Sequence, residues 1–288
     1  MNYRYQIMRA LLKRKFVRDV FWYAFRVFKF ISYRRFLAEL VGKHSDFFYK
    51  TKTVEFVVSG VRKNGGIEGP SLSNDAVDLV YDYAMTHECF ADRDAEHGFM
   101  FSEYDAICNS LGKEVLVAQY FNVSDRLPIV GQLSEDPYLL EIATQYLKAV
   151  PKLVGVNLWW TFPAEASAED RNKHAHVFHY DLDDVKFIKF FFYITDVTEN
   201  DGPHVYVKES NRRILYKNTW IRSKRFSDQE VIDAYGEESI VEVIGPAGSC
   251  LIEDTITLHK GSTSIGKPRL LLQLQYAIND FGTQNDYK

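Results

Sequence analysis

Two residues that bind metals well, His179 and Asp181, lie two positions apart in the stretch His-Val-Phe-His-Tyr-Asp-Leu-Asp-Asp, residues 176–184. On an extended strand such a pair points to one face, so an imidazole and a carboxylate are aimed at the same point. His259 follows about eighty residues later, at the end of an apolar run, and would supply a third ligand if the two strands lie side by side. Two histidines and one carboxylate on one face of a metal leave its other positions open, which is typical of non-haem Fe(II) oxygenases.

Arg269 begins the run Arg-Leu-Leu-Leu-Gln-Leu-Gln-Tyr-Ala-Ile, ten residues beyond His259. A guanidinium there could bind the far carboxylate of a dicarboxylic acid that chelates the metal, because its planar fork matches a carboxylate and its charge is permanent. Arg269 shares one parity of this run with the polar Gln273 and Gln275, whereas the other parity is aliphatic or aromatic. We therefore expect the arginine face to line a polar interior and the opposite face to pack on helices.

The order His179-x-Asp181, then His259, then Arg269 resembles the phytanoyl-CoA dioxygenase family of Fe(II)/2-oxoglutarate oxygenases. Residues 189–207, a strand, an acidic turn and a second strand, are similar to the family between its metal ligands, as are residues 248–255. The resemblance covers roughly residues 153–280. The chain departs from the family where Lys-Glu-Ser-Asn stands in place of Pro-Gly-Ser-His and about thirty further residues precede the next strand. This departure leaves the substrate open.

The resemblance implies a mainly β fold with helical additions (α+β), in which a double-stranded β-helix of the jelly-roll or cupin type is supported by N-terminal helices. It also implies a dioxygenase that uses Fe(II), 2-oxoglutarate and O2 to hydroxylate an unactivated C–H bond of a small molecule. Related halogenases lack the carboxylate ligand, so the presence of Asp181 favours hydroxylation or desaturation. The alternative is a non-catalytic jelly-roll protein that binds a ligand or a partner; such a protein is expected to have lost a metal ligand or the arginine.

The implied metal ligands are His179, Asp181 and His259. Arg269 is expected to pair with the distal carboxylate of 2-oxoglutarate. The residues that could help it there are Ser262 or Thr263, by a hydroxyl group, and Asn157, from a neighbouring strand. For Asn157 a hydrogen bond to the backbone is an equally good interpretation.

Candidate substrate contacts are less specific. His176 is expected at the rim of the pocket if its strand bends, and His204 is expected either in the packing or in contact with substrate. An insertion of about residues 209–240 contains six basic residues and no acidic residue between the first and the last of them. It is either a lid that binds an anionic substrate or an exposed basic loop. The lid interpretation assigns substrate contacts to Arg222, Lys224 and Arg225.

The composition is that of a globular chain, with 46% hydrophobic and 26% charged residues among 288. Three widely spaced cysteines suggest no disulfide framework, so a reducing, cytoplasmic setting is expected. Nothing in the charge distribution predicts a nucleic-acid partner. We predict a basic, aromatic-rich helical segment at residues 1–50 and an oxygenase domain at 51–288, with the β-helix core at about 153–280.

Residues 1–50 contain 12 Lys+Arg and only 3 Asp+Glu. Apolar residues recur there at near-helical spacing, which favours an amphipathic helix. It could lie on an anionic membrane or only cover the sheet. Further along the chain, β-branched alternation predicts a strand over Thr51–Ser59, and Asp136-Pro137 predicts a helix start. Asp183 and Asp184 are expected in a solvated turn rather than as hydrogen-bond partners of the metal ligands.

Overall fold

The protein was analysed as a computed structural model that describes residues 3–49, 52–165, 175–213, 225–282 and 286. Its helices lie mainly in the N-terminal half. In chain order they are α1 (Tyr3–Leu11), α2 (Lys15–Phe28), α3 (Phe30–Leu40), α4 (Val54–Asn64), α5 (Asn74–Thr86), α6 (Tyr104–Leu111), α7 (Val123–Arg126), α8 (Pro128–Ser134), α9 (Pro137–Leu147) and α10 (Asp228–Tyr235).

The strands dominate the C-terminal half and pair antiparallel. They are β1 (Phe48–Tyr49), β2 (Gly66–Glu68), β3 (Ser71–Leu72), β4 (Cys89–Ala91), β5 (Gly98–Phe99), β6 (Val117–Tyr120), β7 (Lys152–Thr161), β8 (Phe187–Tyr193), β9 (His204–Val207), β10 (Ile240–Val243), β11 (Cys250–Glu253), β12 (His259–Gly261) and β13 (Arg269–Ala277).

Two of the sheets face each other and form the jelly roll. The larger has eight strands in the order β2-β11-β8-β13-β7-β6-β4-β5, and the smaller has three in the order β10-β9-β12. The segment around His179 extends the smaller sheet by a bridge to His259 on β12. The predicted double-stranded β-helix with N-terminal helical support is confirmed.

The two faces of strand β13 lie in different environments, one apolar and one polar. The alternation of polar and apolar residues along the strand predicts this. Leu270, Leu272 and Leu274 belong to the main hydrophobic core, which also contains Leu139 and Ile142 of α9. Arg269 lies on the opposite face, which lines the interior of the jelly roll. The helices therefore pack on the outside of the large sheet and leave its inner face available for chemistry.

The predicted helix start at Asp136-Pro137 is confirmed, because Asp136 Oδ1 accepts hydrogen bonds from the backbone N–H groups of Tyr138 (2.9 Å) and Leu139 (3.2 Å). The strand predicted over residues 51–59 is wrong, since α4 occupies this region. Thr53 caps α4 by accepting from the Phe56 N–H at 3.3 Å, and the helix ends at Gly65, whose φ is +90°.

The N-terminal helices attach by one side only. Trp22 of α2 donates from Nε1 to the carbonyl of Leu147 at 3.0 Å, and Trp22 and Phe25 pack against the main core. Phe16, Val20 and Tyr23 of the same helix are between 50% and 77% exposed. No helix in the described ranges is long and apolar enough to cross a membrane.

Candidate metal centre

Backbone pairing between two segments far apart in sequence brings the predicted metal ligands together. The N–H of His179 donates to the carbonyl of His259, and the N–H of His259 donates back to His179, both at 2.9 Å. Asp181, two residues further, donates from its N–H to Thr255 at 2.8 Å. His179, Asp181 and His259 each offer one ligand atom, and these atoms lie within 4.8 Å of one another.

Both histidines have the tautomer that a metal requires. His179 Nδ1 lies 3.0 Å from the carbonyl oxygen of Val177, and His259 Nδ1 lies 2.9 Å from that of Thr257. Because a carbonyl only accepts, each Nδ1 carries the proton and each Nε2 presents a lone pair. Burial lowers the pKa of both imidazoles, that of His179 to about 3. Both are therefore neutral at physiological pH and ready to coordinate a cation.

Asp181 supplies the negative charge of the group. Its Oδ1 lies 3.9 Å from His179 Nε2, and its Oδ2 lies 3.6 Å from His259 Nε2. Burial alone would raise the pKa of this carboxyl, but the adjacent Lys189 ammonium, which also donates a hydrogen bond to it, and the imidazoles of His259 and His179 together outweigh that effect and hold the pKa well below its usual range. Two neutral imidazoles and one ionised carboxylate are a donor set that fits a divalent transition metal.

Lys189 is a site residue that the sequence analysis missed. Its Nζ lies 2.8 Å from Asp181 Oδ2 and 3.5 Å from Asp183 Oδ2. Asp183 also accepts from Gln275 Nε2 at 3.1 Å and from the Tyr5 hydroxyl at 3.4 Å. Helix α1 thus contributes a side chain to the metal site from 178 residues away in sequence.

The expectation that Asp183 and Asp184 lie in a solvated turn is wrong. Asp183 belongs to the network around Lys189. Asp184 is fully buried and accepts from the backbone N–H and the Nδ2 of Asn279, at 2.7 Å and 2.9 Å. Burial raises the pKa of Asp184 to about 6. The two carboxylates fix the loop between the metal motif and β8.

Arg269 lies at the start of β13 with only 3% of its surface exposed. One terminal nitrogen donates to the carbonyl of Gly202, and Nη2 donates to the Thr161 hydroxyl at 3.0 Å. Its Nε is buried and has no hydrogen-bond partner in the described ranges. No carboxylate among the described residues forms an ion pair with this guanidinium. Its charge is therefore fixed in position and available to an anionic ligand.

The metal ligands and Arg269 line one cavity of about 360 Å³, which we call the central cavity. It lies between the two facing sheets. Asn157 on β7 also lines it, opposite Gln273 of β13 in the strand register. The sequence prediction for Asn157 is therefore compatible with the structure, since its side chain reaches the same space as Arg269.

The predicted hydroxyl groups are placed differently. Ser262 and Thr263 line a neighbouring cavity rather than the central one. Thr161, from the adjacent strand β7, provides the hydroxyl that contacts the guanidinium instead. Thr263 Oγ1 lies 3.2 Å from Nδ1 of His176, and His176 lines both cavities.

The remaining candidates fall into three groups. His204 lines the central cavity, stacks on His259 with ring centroids 5.6 Å apart, and lies with its Nε2 2.7 Å from Glu253 Oε2. Arg225 lines the neighbouring cavity beside His176. Arg222 and Lys224 lie outside the described residues.

Arg93 also lines the central cavity, at its β6 side, together with Val117 and Trp159. The sequence analysis did not single it out, because no motif surrounds it and it lies 86 residues before His179. Only the register of the large sheet brings it near the metal ligands.

Comparison with known proteins supports the same architecture. A family model described as phytanoyl-CoA dioxygenase (PhyH) matches residues 99–269, more than half of the chain. No curated protein matches the chain.

Solved structures show the similarity of fold. HygX from Streptomyces hygroscopicus, with nickel and 2-oxoglutarate bound, has a TM-score of 0.53 and 14% identity over 78% of this chain and 87% of that chain. SnoN, a non-heme alpha-ketoglutarate-dependent epimerase from nogalamycin biosynthesis, has a TM-score of 0.50 and 16% identity over 78% and 82%. EctD from S. alaskensis, with bound Fe, has a TM-score of 0.50 and 15% identity over 83% and 84%.

Proposed function

The chain belongs to the phytanoyl-CoA dioxygenase family of Fe(II)- and 2-oxoglutarate-dependent oxygenases, and we propose that it hydroxylates an unactivated C–H bond of a small-molecule substrate. One observation carries the proposal: a single cavity contains the His179–Asp181–His259 group and an arginine with no carboxylate partner among the described residues. A divalent metal fits the first feature, and a dicarboxylic cosubstrate fits the second.

Each residue has a defined part. His179 and His259 would hold Fe(II) through Nε2, and Asp181 would hold it through a carboxylate oxygen. Their arrangement on one side leaves open positions for 2-oxoglutarate and O2. When bound, the metal and 2-oxoglutarate would supply the chemistry that activates O2, and 2-oxoglutarate would be converted to succinate and CO2. The protein positions the reactants and excludes water.

Arg269 would bind the distal carboxylate of 2-oxoglutarate. Gly202 and Thr161 fix its guanidinium before the ligand arrives, so little side-chain entropy is lost on binding. Burial strengthens the charge interaction relative to water. Asn157 is placed to hydrogen-bond the cosubstrate from the neighbouring strand, whereas Ser262 and Thr263 would act from the neighbouring cavity through His176.

Substrate contacts are proposed at the openings of the central cavity. His176 and Arg225 border the neighbouring cavity, and His204 forms part of the wall beside His259. The basic insertion of about residues 209–240, which includes Arg222 and Lys224, would favour an anionic substrate.

The test is consumption of 2-oxoglutarate by purified protein, followed as succinate formation. The wild type is expected to form succinate slowly without substrate, and only with both Fe(II) and O2. Asp181→Ala should abolish this turnover, whereas Asp228→Ala, an exposed carboxylate 64% accessible, should leave it unchanged. Equal turnover in Asp181→Ala, or none in a metal-loaded wild type, would refute the proposal.

We further propose that helices α1–α3 contact an anionic membrane surface. Of the 18 exposed large hydrophobic residues in the described part of the chain, twelve lie in residues 3–41. Residues 1–50 contain 12 basic residues against 3 acidic ones. On α2, Phe16, Val20, Tyr23 and Val27 form an exposed stripe at helical spacing, opposite the side that packs on the core. Exposed apolar residues flanked by Lys and Arg favour binding to anionic lipid.

A further inference from the structure

We infer that Arg93 binds an oxyanion, a carboxylate or a tetrahedral group such as phosphate, on the substrate of the central cavity. The inference rests on the proposed function, because it assigns a substrate class to the same site. It concerns a residue distinct from the metal ligands and from Arg269.

The turn between β4 and β5 holds Arg93 in an unfavourable backbone conformation. Asp92 and Arg93 both have positive φ, +54° and +63°, a backbone region that is unfavourable for residues other than glycine. Backbone hydrogen bonds maintain the turn: the Asp92 N–H donates to Val117 at 2.8 Å, and the Arg93 N–H donates to Phe90 at 3.2 Å. Strained backbone that is fixed in this way is concentrated at functional sites.

Within the described residues, the guanidinium of Arg93 has no partner. It forms no hydrogen bond, ion pair or ring contact with any residue in the described part of the chain. The neighbouring Asp92 carboxylate is occupied by Lys113. The side chain is exposed to solvent and also lines the central cavity. A cation without a counter-charge can form charge-assisted hydrogen bonds with an anionic ligand.

In the described part of the chain, Arg93 is one of three basic side chains that line the central cavity, together with Lys189 and Arg269. Lys189 is neutralised by Asp181 and Asp183. Arg269 and Arg93 have no carboxylate partner among the described residues. The distal carboxylate of 2-oxoglutarate can neutralise only one of them, and Arg269 is already fixed by Gly202 and Thr161.

The strand register separates the two arginines. Arg269 is paired with Thr161 of β7, Thr161 is paired with Val117 of β6, and Val117 accepts from Asp92. Three interstrand steps therefore lie between the backbones of Arg269 and Arg93, or about 14 Å at the usual spacing. The two arginines therefore line the central cavity from different parts of the large sheet, which leaves separate places for a substrate on Arg93 and a cosubstrate on Arg269.

Arginine labelling with phenylglyoxal tests the inference without a known substrate. The full-length protein is saturated anaerobically with Fe(II) and 2-oxoglutarate, and the labelling rate of each arginine is followed by peptide mass spectrometry. Acetate and sulfate serve as carboxylate and tetrahedral probes, and acetamide serves as the neutral control. Arg35, 85% exposed on α3, is the internal reference.

Acetate or sulfate is expected to slow the labelling of Arg93 about fivefold when its concentration is about four times Kd. At the same concentration the labelling of Arg35 should barely change. The more effective probe identifies the oxyanion. Acetamide should have no effect. Equal slowing of Arg93 and Arg35 by both anions would overturn the inference.

A variant separates this inference from the proposed function. Arg93→Asn removes the charge while retaining a residue that tolerates positive φ, so folding is preserved. Its affinity for 2-oxoglutarate should equal that of the wild type. A loss as large as that of Arg269→Ala would show that Arg93 serves the cosubstrate and would overturn the inference. If 2-oxoglutarate fails to protect Arg269 while anions still protect Arg93, only the proposed function fails.

Discussion

The Nζ of Lys189 lies 2.8 Å from Oδ2 of Asp181, the carboxylate proposed to bind the metal. The same ammonium lies 3.5 Å from Asp183. Two partly buried carboxylates therefore share one positive charge, and an incoming divalent cation would add a second source of positive charge. Lys189 keeps Asp181 ionised and oriented before the metal binds.

Lys189→Met should destabilise the metal-free protein by about 1–3 kcal/mol, because it leaves two partly buried carboxylates without a counter-charge. A bound metal would restore part of that charge, so Ni(II) should raise the unfolding temperature more in the variant than in the wild type. Thermal unfolding with chelator and with Ni(II) measures both effects. Lys52→Met, which removes a surface pair with Glu68, should have little effect. Equal metal stabilisation of the variant and the wild type would contradict this role for Lys189.

Gly202→Ala should weaken 2-oxoglutarate binding at least tenfold, a loss of about 1.4 kcal/mol, and leave metal affinity unchanged. Gly202 has a φ of +69°, and an added Cβ would lie 2.7 Å from the carbonyl oxygen of Ser262. The resulting shift would displace the carbonyl that fixes Arg269. Gly112→Ala is the matched control, because Gly112 has a φ of +65° with open space around its Cα. Calorimetric titration with 2-oxoglutarate distinguishes the two variants; similar affinities would rule out this role of Gly202.

Glu253→Gln should remove a pH dependence of stability between pH 6.5 and 8. Burial raises the pKa of Glu253 to about 8 and lowers that of His204 to about 3. In the native state the protonated carboxyl therefore donates to the neutral imidazole. In the unfolded chain the carboxyl ionises near pH 4.5 and the imidazole is protonated below about 6.5.

Between pH 4.5 and 6.5 the two linkage effects cancel, because the native and unfolded pairs each hold one proton. Above pH 6.5 only the native state holds a proton, so stability falls as pH rises, by about 2 kcal/mol up to pH 8. Gln keeps an N–H donor for His204 and cannot ionise. Urea unfolding of the metal-free proteins across this range measures the difference, and parallel curves for wild type and variant would contradict the assignment.

Phe28→Ser combined with Ile31→Ser should reduce binding to vesicles of phosphatidylserine and phosphatidylcholine at least tenfold, since each side chain contributes about 1.5–3 kcal/mol when buried. These residues are 85% and 82% exposed. Phe56→Ser with Ile265→Ser, also exposed but outside the N-terminal helices, is the control. Binding is measured by co-sedimentation of the protein with the vesicles. The membrane contact would be refuted if both double variants reduced co-sedimentation equally, or if the wild type did not co-sediment.

The metal motif and the alternation of β13 could be predicted from sequence because both depend on short-range spacing. His179 and Asp181 are two residues apart, and the faces of β13 follow directly from its polar and apolar parity. The interior position of Arg269 followed from the same parity.

The rest depends on long-range contacts or on competing local signals. Lys189 belongs to an otherwise aromatic strand, and only its register against Gln275 of β13 places it near Asp183. Tyr5 and Arg93 come from distant segments with no motif. The prediction of a strand over residues 51–59 was wrong because the buried valines of α4 fit the spacing of a helix as well as that of a strand. The N-cap at Thr53 favours the helix.

Anaerobic titration of the purified protein with Fe(II) and 2-oxoglutarate tests the central claim most directly, through the visible metal-to-ligand charge-transfer band. We expect the band to saturate in the wild type and in Arg35→Ala. In Arg269→Ala it should require at least about tenfold more 2-oxoglutarate, and in Asp181→Ala it should be absent. A wild-type protein that binds the metal but forms no band would contradict the oxygenase assignment and favour a non-catalytic binding protein of the same fold.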